Sequence, residues 1–96
     1  MLFHMDYRES LAYTTTLARQ IRAEIAAAQA TTDQIATQTH IARSTLRAHL
    51  NGTTPLTATL LLRIAAAIPI DPHLLIARAD ERHRTQQEAP HRPGGR

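Results

Sequence analysis

At 96 residues the chain has room for one small domain and no second core of useful size. Its basic residues are all arginine, 11 of them against 8 acids, and the resulting formal charge of +3 suits an anionic partner without demanding one. Cysteine is absent, which excludes disulfides, thiolate nucleophiles and Cys-ligated zinc.

The N-terminal "MLFHMDYRES" lacks the basic-then-apolar order of a signal peptide. It carries all three aromatic residues of the chain, Phe3, Tyr7 and Tyr13 falling within the first 13 positions. Residues 1–13 read as an extension, helical and continuous with the first helix, that either packs on the core or contacts DNA or a second subunit. Asp6 and Glu9 fit a solvated helix start and form no catalytic pair. Leu17, Ile21 and Ile25 then recur every four residues, so a helix beginning as early as Asp6 runs to about Ala28. In "TTDQIATQT", Thr31 suits an N-cap, and Gln34 three residues later completes a capping box. Ile35, Ala36 and Thr39 share the inner face of this second helix.

"HIARSTLRAHLNG" follows at 40–52. At about 100° per residue, Leu46, His49 and Leu50 share one arc. Ser44, Arg47, Ala48 and Asn51 lie on the opposite arc, with Arg43 at its edge. So short a helix is unstable alone and must lean on others through its leucines, which turns the Ser/Arg/Ala/Asn face outward. That face is small near the backbone, and its arginines can donate two bonds to guanine O6 and N7, as a major-groove reader requires. Gly52 can take the left-handed conformation that ends a helix, and Pro55 bars continuation. Thr57 caps the next helix, where Ala58, Leu61, Leu62, Ala65 and Ile68 are expected on one inner stripe and Pro69 is the stop. The run "LLLRIAAAIPI" at 60–70 is the longest apolar one, yet Arg63 and Pro69 break it well short of the ~18–20 residues that span a membrane. Asp71 caps a short last helix with Pro72 in its first turn and Leu74, Leu75 and Ile76 following. Residues 81–96 have no apolar periodicity and read as a disordered basic tail.

Six histidines invite a metal site, but none are spaced i,i+4 and no acid stands at a matching offset, so no metal or other cofactor is expected. His40 fits a turn and His49 a packing position. Ser44 has no base-and-acid context, and no convergent catalytic set is visible, so an enzyme is not expected.

Residues from about 14 to 76 resemble the helix-turn-helix domain of the lambda-repressor-like, or Cro/C1-type (XRE-like), transcriptional regulators. The likeness rests on Ile35-Ala36 in the second helix, Ile41 in the turn, the run Ala42-Arg43-Ser44-Thr45-Leu46, and Asn51-Gly52 closing the recognition helix. "LLRIAAAI" and "DPHLL" resemble the family's fourth and fifth helices. Where the family usually has glycine at the turn this chain has His40, and where many members open the second helix with Gln it has Thr32. His49 replaces a common aliphatic residue and Pro69 a frequent glycine.

The resemblance implies an all-α domain of about five helices over residues 14–80, with the helix-turn-helix at 32–50. It implies a cytoplasmic, sequence-specific regulator binding a double-stranded DNA operator in a bacterium or phage-infected cell, a repressor of the phage-immunity or Cro kind. Arg43, Ser44, Arg47 and Ala48 would meet base edges, while Thr31, Thr32, Gln34, Asn51 and Thr53 would meet phosphates. A homodimer would form through Leu74, Leu75 and Ile76, or through the N-terminal extension. The alternatives are the DNA-binding antitoxin of a toxin–antitoxin pair, whose tail folds on the toxin, and a helical protein-interaction module that has lost DNA binding.

Overall fold

The computed structural model describes residues 6–88. Among these the chain is all-helical, without strands: α1 (Tyr7–Ala27), α2 (Thr32–Thr39), α3 (Arg43–Leu50), α4 (Ala58–Ala67) and α5 (Pro72–Glu88). Phe3, His4 and residues 89–96 lie outside the described part of the chain, and so do the expectations placed on them. No single described helix is long and apolar enough to cross a membrane.

Local chemistry sets most of the helix boundaries. Asp6 caps α1 in a full capping box, its side chain accepting from the Glu9 N–H at 2.8 Å while the Glu9 carboxylate accepts from the Asp6 N–H. Thr31 and Gln34 repeat the device at α2, and Thr57 accepts from the Leu60 N–H at the start of α4. Asp71 accepts from the His73 N–H at 2.8 Å, just ahead of Pro72. The aromatic segment at residues 7–13 is helical and continuous with α1.

Two helices close on left-handed non-glycine residues, Gln29 after α1 (φ 59°) and His40 after α2 (φ 60°). In each, an N–H further on reaches back to close the helix, Ala30 to the Ile25 carbonyl at 3.0 Å and Ile41 to Ala36 at 3.1 Å. His40 therefore takes the conformation that its place in the turn requires, without glycine. After α3 the same role falls to Gly52 (φ 80°), with Thr53 bonding back to Ala48 at 3.1 Å.

The core is aliphatic. Ile21 and Ile25 of α1, Ile35 of α2, Leu46 and Leu50 of α3, Ile64 of α4 and Leu75 of α5 meet in one buried cluster. On α4 the inner stripe differs from expectation. Leu60, Leu61, Ile64, Ala65 and Ile68 are buried, whereas Ala58 and Leu62 face out. A run of three leucines fits more than one stripe, and the fold selects the one that includes Leu60 and Ile64.

The larger correction concerns the C-terminus. Residues 81–88, expected within a disordered tail, continue α5, so the last helix is long rather than short. Leu75, Ala79 and His83 recur every four residues and are all buried. They form a seam that simple hydropathy misses because two of its three members are small or polar. Its partner is α1, including the segment read as an extension. The Tyr13 and His83 rings lie 4.8 Å apart, the Tyr13 hydroxyl donates to Asp80 at 3.3 Å, and the Thr16 hydroxyl meets the Gln86 amide at 3.0 Å. Burial raises the Tyr13 phenol above its ordinary value, and the Asp80 carboxylate adds to that. Deeper in the seam, Glu24 is buried and accepts from Arg78 Nη1 at 2.7 and 2.8 Å and from Gln20 at 2.8 Å, while Arg82 donates to Gln20 at 2.9 Å. Burial works against the Glu24 charge, but the Arg78 and Gln20 hydrogen bonds outweigh it and hold the carboxyl below its ordinary value. Residues 7–13 and 81–88 thus belong to the domain.

Candidate functional site

α2 and α3 are joined by residues 40–42, and both are held from behind. Arg22 of α1 donates to the Leu50 carbonyl at 2.6 Å, satisfying the end of α3. Arg63 of α4 donates to the Thr39 carbonyl at the end of α2. Neither arginine stood out in the sequence as a helix anchor, because its acceptor is a backbone carbonyl 28 or 24 residues away.

With Leu46, His49 and Leu50 facing inward, α3 presents Arg43, Ser44, Thr45 and Arg47 to solvent, and Ala48 is half-buried beside them. The wheel derived from the sequence holds on both sides of this helix. His49 Nδ1 lies 3.2 Å from the Thr54 carbonyl, so this buried ring also ties down the loop after α3. Ala42, the N-cap of α3, supplies no side-chain hydrogen bond. The first-turn N–H groups of α3, which no helix pairs internally, therefore have no side-chain acceptor at the N-cap.

The residues expected to meet phosphate are placed unequally. Thr31 and Gln34 are exposed and bind one another, Gln34 Oε1 accepting from the Thr31 N–H at 2.8 Å and Thr31 Oγ1 from the Gln34 N–H at 3.1 Å. That leaves the Thr31 hydroxyl proton and the Gln34 NH₂ as donors. Thr32 is half-buried and Asn51 is exposed. The Thr53 hydroxyl is already engaged, donating to the Ala48 carbonyl at 3.0 Å.

One residue of this surface was missed in the sequence. Asp33, in the first turn of α2, stands between the two arginines of α3, its Oδ1 3.1 Å from Arg43 Nε and 3.8 Å from Arg47 Nη2. The only sequence signal for it was an acid in a helix's first turn, which reads as a dipole partner.

The suggested dimer surface is also altered. Leu75 is fully buried in its own core, while Leu74 and Ile76 are each 43% exposed. Leu75 cannot serve a second subunit. Among the described residues there is no cluster of three or more His, Asp or Glu side chains able to hold a metal ion. In comparisons with family models, curated proteins and solved structures, nothing matches this chain.

Proposed function

We propose that this protein is a sequence-specific DNA-binding transcriptional regulator in which residues 32–50 act as a lambda-repressor-like helix-turn-helix and α3 enters the major groove. The observation that carries this reading is the two-sided character of α3. An eight-residue helix has one face locked into the core and the other given over to Arg43, Ser44, Arg47 and the small Ala48. Such a helix can approach base edges closely, and its arginines carry the donor pairs that guanine accepts. The exposed donors of Thr31 and Gln34 at the start of α2 suit phosphates flanking the groove, and the positive end of that helix adds to them. In this reading the protein is a repressor of the phage-immunity or Cro kind. The antitoxin alternative relies on a tail left free to fold on a toxin, whereas this segment is helical to Glu88 and packs on α1 through His83 and Gln86.

The test is fluorescence anisotropy of the purified protein with DNA from just upstream of its gene, beside a scrambled duplex, at two salt concentrations. A preference of about 10³-fold or more for the upstream DNA, weakening as salt rises, is the expected result. Arg47→Ala is expected to cost about 1–3 kcal/mol at one base pair and to relax the preference there. A binding curve unaltered by that substitution refutes the assignment, and no binding at low salt refutes the whole reading.

A further inference from the structure

We infer that Asp33 is a positioning residue for base readout: from α2 it orients Arg43, and more loosely Arg47, while its charge holds down attachment to unspecific DNA. This rests on the DNA-binding reading above.

Arg43 and Arg47 are one helical turn apart, so their like charges repel and favour divergent rotamers. A single carboxylate oxygen draws both toward one point. It holds them differently. Both contacts are ion pairs, the closer one to Arg43 Nε at 3.1 Å and the looser one to Arg47 Nη2 at 3.8 Å. A guanidinium has five N–H donors in a planar fork. Because the carboxylate lies on the Nε side, Arg43 keeps both terminal nitrogens clear of it, and the ion pair biases where they point. Those two nitrogens are the pair that can meet guanine O6 and N7.

The carboxylate has a firm base. α2 is fixed by its capping box, by buried Ile35 and Ala36, and by Arg63 at its far end. α3 is fixed separately by Arg22 and its buried leucines. The ion pair thus bridges two immobilised elements, which is what orienting a long side chain demands. As a stabiliser it counts for little, because the side chains of Asp33, Arg43 and Arg47 are 53%, 61% and 60% exposed. Its effect arises when a duplex covers the arginines and excludes water. Asp33 also lies beside Thr31, Thr32 and Gln34, where a negative charge repels any phosphate backbone. An operator offsets that repulsion with base contacts, and unspecific DNA does not.

The experiment compares wild type, Asp33→Asn, Arg43→Ala and the double variant on the duplex that wild type selects from a random pool, on its single-base-pair variants and on a scrambled duplex. Asp33→Asn is expected to bind the scrambled duplex about threefold more tightly through the lost charge. It is also expected to lose about three- to tenfold of the discrimination at the base pair that Arg43→Ala relaxes, with a smaller loss at the Arg47 base pair. In the Arg43→Ala background it should no longer affect that base pair. If Asp33→Asn raises affinity for every duplex equally and leaves base preference intact, Asp33 is only a charge and the inference is overturned. A second readout needs no DNA. The Arg43 Nε–H resonance of the free protein should shift in Asp33→Asn, and an unmoved resonance also overturns the inference. If wild type selects no sequence, the DNA reading fails and the inference with it; if it does and Asp33→Asn is indistinguishable in preference, the inference fails alone.

Discussion

Arg43 and Arg47 on α3 lie four residues, about one helical turn, apart, and so do Arg78 and Arg82 on α5. In sequence they look equivalent, and their exposure barely separates them: the Arg78 side chain is 48% exposed, against 61% for Arg43 and 60% for Arg47. Their acceptors separate them. Arg78 and Arg82 reach into the α1–α5 seam to Glu24 and Gln20, both buried. Arg43 and Arg47 meet Asp33, which stands in water. Taking an arginine from a buried carboxylate strands a charge in a poor dielectric, whereas taking one from an exposed carboxylate returns both groups to solvent. The burial of the acceptor therefore marks which arginines hold the fold and which are free to act on something else.

The strongest test of this division lies within α3, between neighbouring residues. Leu46 is fully buried in the aliphatic core cluster, where α3 packs against α1 and α2. Leu46→Ala should cost about 3 kcal/mol of stability, since truncating a buried leucine loses its transfer energy and leaves a cavity. Urea denaturation followed by circular dichroism measures it. A cost below about 1 kcal/mol would mean that α3 does not lean on the core as described. On α5, Arg78→Ala should cost about 2 kcal/mol, because Glu24 keeps only the Gln20 bond and loses its cation. The same denaturation would break the comparison if Arg78→Ala proved neutral.

How far these differences were legible in the sequence follows from the range of the interactions. The Thr31–Gln34 box, the Thr57 cap, the His40 turn and the Asn51-Gly52 end involve residues within a few positions of one another, and local chemistry dictates them. The inner and outer faces of α3 were legible because helical spacing alone separates Leu46 and Leu50 from Arg43 and Arg47. The α1–α5 seam was not. Its contacts join residues 54 to 70 positions apart, such as Glu24 to Arg78 and Thr16 to Gln86. Both partners are mostly polar, so neither helix advertises a buried face, and the residues after Asp80 read as a tail. Asp33 escaped for a related reason: its role depends on where the turn at residues 40–42 sends α3.

Titration gives a subtler separation of the two regions. Glu24 in the folded chain is held below its ordinary value of 4.5, whereas the unfolded chain titrates at that value. Between the two the unfolded state binds more protons, so stability rises with pH across that window. The contribution is therefore fully present above about pH 4.5 and is lost as the pH falls through the lowered folded value. Stability measured from pH 6 down to pH 3 should fall more steeply for wild type than for Glu24→Gln, which has no proton to take up at that position (about one proton's difference in slope at most). Equal slopes would place the charge of Glu24 outside the forces that hold α5.

The smallest expected effect carries the most information about function. Arg47→Ala should change stability by no more than about 0.5 kcal/mol, because the side chain is exposed and its one carboxylate partner is a distant, solvated one. Ala is also a good helix former, so the backbone of α3 gains slightly from the exchange. Any loss from the Asp33 ion pair is partly offset by that gain, and Asp33 keeps its closer partner, Arg43. A thermal melt indistinguishable from wild type, combined with the base-specific loss of DNA affinity proposed above, would establish that residue 47 is free of the fold and committed to a partner. A melt lowered as far as that of Arg78→Ala would make Arg47 a structural residue and erase the distinction between the two arginine pairs.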